Sequence, residues 1–494
     1  MIMSDPESPT FRPTSLPSRR EALGGIGAAA ALLVACPPRV ARAQSGTTFT
    51  PEMFGARGDG RTDDYEALKR LAAAVSQAGG GIVRFGRGRH YLIDRIQVWG
   101  GPNRNDVANI LYNRCRGLRI DLNGATVHVK GDFHRSGDTA EGRFSWLNAV
   151  IPFQLNRCTD VVIENGFLHG HADRMSRDPT VDERSGHGFA INGCSNVLLE
   201  GLHVHHFSAD GVRVGILGGR ENDPCRDVRL SQVRLTNNAR QGLTIAGGVG
   251  VVATDCEFSH TGRTGGAQGD YRHAPSAGVD VEPNRFVTER SDFRALRCRF
   301  DDNRGSPVTA ASADRTAFIE LIDCSGRSRA QSRLSPRVER AVIRGGTWHN
   351  IQIACAYAGN RAQRPTSIDV SGGTWSGDDP AWAPVYDLSP RHPNVRIHGN
   401  RFELRSTRPF TTAWLFQCSN PNHQFEDNQV FVSARGHDGA GEDMVGNFRG
   451  ARLVRGNRWA TDLAAPRRFV NDYGGAQRVE RETFSGAFAR TGAG

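Results

Sequence analysis

The sequence predicts an all-β solenoid, a parallel β-helix, and three observations carry that reading. Glycine accounts for 58 of 494 residues, a content that weakens helix interiors and suits many short strands joined by tight turns. A cysteine-centred phrase recurs as Asn113-Arg114-Cys115, Asn156-Arg157-Cys158, Asn192-Gly193-Cys194 and Asp223-Pro224-Cys225. Each cysteine is followed at +3 and +5 by apolar residues: Leu118 and Ile120, Val161 and Ile163, Val197 and Leu199, Val228 and Leu230. A second phrase recurs downstream, ending at Trp348, Trp375, Phe402, Val430 and Trp459, which lie 27, 27, 28 and 29 residues apart. Alternating apolar residues at such a period stack as rungs. The leucine-rich signature is missing, and Gly/Asn turns separate the strands. About a dozen coils at ~4.8 Å each make a rod on the order of 55–60 Å long.

The elements follow in order. Ser18-Arg19-Arg20-Glu21-Ala22-Leu23 precedes an apolar stretch from Ala22 to Ala35, and Ala41-Arg42-Ala43 suits signal peptidase. Residues 1–43 are therefore expected to be a twin-arginine export signal, with a periplasmic or secreted product. The apolar stretch is too short to span a membrane. Leu33-Val34-Ala35-Cys36 is similar to a lipoprotein cleavage box, so a lipid anchor at Cys36 is the alternative. Residues 44–494 form one domain: an N-terminal cap at about 49–100, coils at about 110–460, and an irregular tail.

Phe54-Gly55-Ala56-Arg57-Gly58-Asp59-Gly60-Arg61-Thr62-Asp63-Asp64 opens the domain. Asp63 or Thr62 can cap a helix. Leu68, Leu71, Ala72 and Val75 then follow at helical spacing as far as Gln77. Gly79-Gly80-Gly81 ends that helix, and Ile82 starts a strand. The opening motif closely resembles that of the pectate-lyase-like superfamily, which includes polysaccharide lyases, glycoside hydrolases and phage tailspikes. The resemblance implies a right-handed parallel β-helix with this helix plugging its end, where the sheet edge would otherwise be open. It implies little about chemistry.

Composition bounds the partners. The net charge is +10, and Lys69 and Lys130 are the sole lysines, so arginine carries the basic charge. Arginine binds planar anions in a bidentate fork, which suits a partner bearing carboxylates, sulfates or phosphates; the resemblance makes an acidic polysaccharide the expected one. No basic run with interleaved aromatics points to nucleic acid. Four of the ten cysteines share one coil position, which favours a buried stack of thiols over disulfides. No C-x-x-C pair suggests zinc. The recurring asparagines are expected to bond from coil to coil as a turn ladder.

Ten of sixteen histidines fall between His128 and His273, which places the chemistry in the middle coils. Phe189-Ala190-Ile191 aligns with Val212-Arg213-Val214, Leu243-Thr244-Ile245 and Val279-Asp280-Val281. Ala190, Arg213, Thr244 and Asp280 then form one outward column, and Asn192, Gly215, Ala246 and Glu282 the next. Aligning Val204, Leu235, Phe258 and Phe300 puts His206, Asn237, His260 and Asp302 in a turn column. His187, Asp210 and Gln241 form another column, just ahead of the strand. A long loop from Gly265 to Ala277 carries Tyr271, Arg272 and His273 above the scaffold.

Asp280 and Glu282, two residues apart on an exposed strand, lie ~6.5–7 Å apart at Cα. Carboxylates that close raise each other's pKa, which suits proton transfer or a cation such as calcium. The candidate catalytic residues are Asp280, Glu282, Asp210, His206 and His260. The candidate substrate-binding residues are Arg213, Arg240, His187, Tyr271, Arg272 and His273. The favoured reaction is β-elimination on a uronate polymer, with His206, His260 or Tyr271 as base and Arg213 and Arg240 neutralising the carboxylate. Hydrolysis by Asp280 with Asp210 or Glu282 is the runner-up. Binding or epimerisation without cleavage is third. The motifs of polygalacturonases are out of order: Gly186-His187-Gly188 precedes Asp210, and the R-I-K sequence does not follow. The D-P-H motif of mannuronan epimerases is absent, and so is the lysine that many lyases use.

Overall fold

Apolar residues stack rung upon rung through the whole domain. A computed structural model describes residues 46–492 apart from 95, 99–108, 131–146, 175–185, 218–222, 268, 285, 286, 288, 290, 311–316, 337, 356–366, 388–392, 413, 434–440 and 463–466. The expected export signal, with Cys36, lies outside the described residues. Three faces of parallel strands wind around one core. On the first, Tyr112, Leu155, Ile191, Val214, Ile245, Val281 and Ala310 align in successive rungs. On the second, an unbroken column runs from Phe49 and Val83 through Ile163 and Leu321 to Val479. On the third, Tyr91, Val127, Leu168, Val204, Leu235 and Phe258 align, and Trp348, Trp375, Phe402, Val430 and Trp459 continue below them. Burying each such Val, Leu or Ile contributes ~1.5–3 kcal/mol of transfer free energy. Large rings stack where the 27-residue period places them: Trp348 and Trp375 lie 5.5 Å apart at 17°.

The helix spans Tyr65–Gln77 and buries Leu68, Leu71, Ala72 and Val75. Asp63 Oδ1 accepts from the Tyr65 backbone N–H at 3.1 Å. Thr62, also expected as a cap, turns its hydroxyl to Asp59 instead, and the N-cap position itself is Asp64, whose side chain makes no cap bond. The Ser76 hydroxyl accepts from the Asn113 backbone at 3.0 Å, which seats the helix on the first-face strand Leu111–Asn113. Strand pairing continues past Trp459. Arg458–Thr461 pairs with Thr483–Ser485, and Arg467–Asp472 with Phe488–Thr491. The expected irregular tail is therefore further rungs, built from Phe469, Phe484 and Phe488 rather than from a recognisable repeat phrase. No described helix is long and apolar enough to cross a membrane.

All nine described cysteines are free and buried. The Cys158 backbone N–H meets Cys194 Sγ at 3.3 Å, and that of Cys194 meets Cys225 Sγ at 3.4 Å, so the shared coil position is a thiol stack. Burial pushes the Cys225 thiol up to about 11. Iodoacetamide should leave these nine thiols unmodified in the native protein and label them after denaturation, as read by peptide mass mapping.

The asparagine ladder is present in the lower coils. Asn428 Oδ1 accepts from the Asn400 backbone at 3.0 Å, and Asn457 Oδ1 from that of Asn428 at 2.9 Å. Each amide nitrogen donates onward: Asn428 Nδ2 to Ile397 O at 2.9 Å and to Asn457 Oδ1 at 3.0 Å. Glu482 Oε1 ends the run on Asn457. Asn428→Leu strands the Asn400 N–H and the Ile397 carbonyl in the core. It should destabilise the fold by about 2–3 kcal/mol, measured by urea titration.

Candidate functional site

One corner of the coil, where the third face turns into the first, gathers most of the predicted residues. His206, Asn237, His260 and Asp302 occupy equivalent turn positions, with φ of 56°, 55°, 58° and 53°. Asn, Asp and His tolerate this left-handed region better than most residues, which is why they recur there. Just past the corner, glycines stack. A Cβ on Gly188 would lie 2.7 Å from Gly211 O, one on Gly211 2.9 Å from Gly242 O, and one on Gly242 2.6 Å from Gly278 O. Only glycine permits that approach. Gly186-His187-Gly188 thus has a packing role, and the residues before these glycines, His187, Asp210 and Gln241, form a column.

That column and the outward column of the first face interlock. Arg240 donates to Asp210 in a fork, Nε to Oδ1 at 2.8 Å and Nη2 to Oδ2 at 2.9 Å. His187 Nδ1 lies 3.2 Å from Asp210 Oδ2. The Thr244 hydroxyl stands between Asp210 Oδ2 at 2.9 Å and Gln241 Oε1 at 2.6 Å. Gln241 Nε2 donates to Asp280 Oδ2 at 2.7 Å. A continuous polar chain therefore joins Arg240, Asp210, Thr244, Gln241 and Asp280. Asp210 is 0% exposed and Asp280 2%, so the strand face read as exposed is covered. Burial first, then Glu282 and then Asp210, pushes the Asp280 carboxyl up to about 7. Its Oδ1 is buried without a hydrogen-bond partner. Burial also holds Arg240 below its usual range. Glu282 is exposed, one residue past the strand Ala277–Val281. Arg213 is half-buried and donates to Asn192 Oδ1 at 3.2 Å.

The turn column divides from this centre. His206 Nδ1 lies 2.8 Å from His205 Nδ1, within a group of imidazoles on the outer third face. Burial, then neighbouring imidazoles, holds His169 down to about 3; burial, then His128, holds His171 to about 4. His260 lies two rungs further on and opens onto a cleft of about 350 Å³ with Asp301, Asp302, Arg327, Arg329, His349 and Asp378. Arg329 pairs with Asp302 at 2.6 Å, and Asn350 donates to Asp378 at 2.8 Å. Most of this cleft escaped the sequence reading. Its one signal was that the turn column ended at Asp302, whose neighbours below were not aligned.

The long loop differs from expectation. Tyr271 and His273 are buried at 3% and 8% exposure. The Tyr271 hydroxyl meets His273 Nε2 at 3.1 Å, and the His273 backbone N–H donates to Ala239 O at 3.0 Å. Both are taken up in building the loop and are not free to hold substrate. Arg272 between them is exposed.

Calcium does not fit Asp280 and Glu282. Calcium takes six to eight oxygen ligands, whereas one Asp280 oxygen is held by the Gln241 amide and the Arg240 cation acts on both carboxylates. Among the described residues, the donor groups close enough to share an ion include neither of them.

No family model matches the chain. The Bacillus subtilis (strain 168) protein YclG, of uncharacterised function, is 25% identical over 243 residues, 46% of this chain. A Klebsiella phage KN3-1 protein named depolymerase 1, capsule KN3-specific, is 26% identical over 167 residues, 33% of this chain. The matches span 37% and 19% of those relatives' own lengths. The solved structure of PfbA, a surface adhesin of Streptococcus pneumoniae, superposes with a TM-score of 0.51 at 12% identity, over 84% of this chain and 90% of that one. Rung register and superposition agree: this chain is a right-handed parallel β-helix protein, the fold that the opening motif led us to expect.

Proposed function

We propose that this chain is an exported enzyme that cleaves glycosidic bonds in an acidic polysaccharide, with Asp280 as the proton-transferring carboxyl. The observation that carries this reading is the pair of unlike carboxyl environments at one corner. Asp210 is forked to Arg240, while Asp280 is buried with one oxygen unpartnered and its pKa pushed up to about 7. A carboxyl kept protonated near neutrality is what protonation of a glycosidic oxygen requires. Glu282, exposed two residues on, is the second carboxylate. The capsule depolymerase relative supports a polysaccharide substrate. The net charge of +10, almost all from arginine, supports an acidic one. The twin-arginine segment at residues 1–43 supports export. Hydrolysis is favoured because Arg240, which elimination would need against a uronate carboxylate, is taken by Asp210.

β-Elimination remains the second reading, because half-buried Arg213 stands in the same outward column as Asp280. The test is incubation with a panel of uronate-containing and neutral polysaccharides. New reducing ends without ultraviolet absorbance support hydrolysis, and absorbance of an unsaturated product supports elimination. Binding without new products across the panel would overturn the enzyme reading in favour of an adhesin.

A further inference from the structure

We propose that His169, His205 and His206, with His171 and Asp173 beside them, form a binding site for one late first-row transition-metal dication, zinc in type. The inference is independent of the glycosidic-bond reading and uses none of its residues except His206.

Register brings the rings together. His128, His169 and His205 stand in one outward column of the third face, in successive rungs. Rungs lie ~4.8 Å apart, so imidazoles at one position must touch. His171 and His206 occupy the left-handed turn that follows, with φ of 54° and 56°. His169 is therefore surrounded. Its ring centroid lies 3.8 Å from that of His171, 4.3 Å from His205 and 5.1 Å from His206. Donor atoms of His169, His205 and His206 all lie within 4.8 Å of one another, and so do those of His169, His171 and Asp173. The two sets share His169, so one ion can draw its ligands from either.

Two further observations point to a ligand. His171 Nδ1 and Asp173 Oδ1 are both buried without a hydrogen-bond partner, and both belong to the second set. Two buried polar atoms left unmatched in one group are costly unless something else binds them. His206 also lies against the Thr264 backbone. Its Nδ1 lies 2.8 Å from His205 Nδ1, so these two rings already turn nitrogens toward each other. Thr264 directly precedes the long loop, so an ion at His206 would also brace the start of that loop.

The donor set selects the ion class. Imidazole nitrogens with one carboxylate suit zinc, copper or nickel, whereas calcium and magnesium need oxygen ligands. The neighbouring rungs carry Thr236 and Ser259 in the same column, so the histidines end where the proposed site ends.

The test uses the untagged full chain, stripped with a chelator and titrated with Zn²⁺ by calorimetry. One equivalent should bind with a Kd of about 1 µM or tighter. Replacing His169 and His206 together by alanine should weaken binding by about 100-fold or more. His398→Ala, outside the cluster beside Asp369, should leave it unchanged. Circular dichroism checks that the double variant is folded. A second readout needs no variant: Zn²⁺ should protect His169, His205 and His206 of the wild-type chain from diethyl pyrocarbonate, read by peptide mapping. Absence of binding at 100 µM Zn²⁺, or protection confined to other histidines, overturns the proposal.

Discussion

Asp280→Asn should reduce polysaccharide cleavage by about 10²–10⁴-fold while making the folded protein more stable above pH 7. Both effects follow from one placement. Asp280 is 2% exposed and its folded pKa is raised from 3.8 to about 7, by burial first and by Glu282 and Asp210 after it. A raised carboxyl means that the folded state holds a proton which the unfolded state has released. The stabilisation from that proton is complete below pH 4 and is lost as pH rises through about 7. The span of roughly three pH units corresponds to a few kcal/mol, good to order of magnitude. Asparagine keeps the shape and an oxygen for the Gln241 amide but has no proton to lose. Melting temperature against pH should therefore fall between pH 4 and 8 for the wild type and run flatter for the variant. Wild-type cleavage should decline above about pH 7, as the acid form is depleted. A variant that keeps full activity would remove Asp280 from the mechanism, and an unchanged pH slope would refute its ionisation.

Arg240→Ala should lower stability by about 3–5 kcal/mol. Asp210 is 0% exposed and is held by both arms of the guanidinium at 2.8 and 2.9 Å. Removing the cation leaves a buried carboxylate with the Thr244 hydroxyl and the nearby His187 ring, neither a fixed charge. Neutralising it as well, in Asp210→Asn/Arg240→Ala, should recover part of the loss, since the largest penalty is the stranded charge. Urea unfolding of the single and double variants measures this. Equal destabilisation in both would show that Arg240 acts through packing alone.

The columns were legible in the sequence because strand alternation has a period of two and the rungs repeat. Val212, Leu243 and Val279 align as inward residues, and Arg213, Thr244 and Asp280 as outward ones. The turn column was legible because its members follow the aligned inward residues Val204, Leu235, Phe258 and Phe300 at one fixed offset. The grouping of His187, Asp210 and Gln241 followed from their shared offset. Burial did not follow from any of this. Asp280 read as a surface carboxylate because alternation reports which side of a strand a residue takes, not what covers that side. Tyr271 and His273 looked available because their loop is long, yet its turns are built on their own side chains. His169 and His171 drew no attention, because their partners His205 and His206 lie more than thirty residues away.

The sequence by itself determined the solenoid, its rung period, the inward columns and the corner at which polar residues collect. These depend on local alternation and turn chemistry, which each repeat states afresh. Only the tertiary structure decided which polar side chains meet, which are shut away from water and which proton is held. Those depend on lateral contacts between rungs and on the desolvation they impose, and a single repeat carries no record of its neighbours.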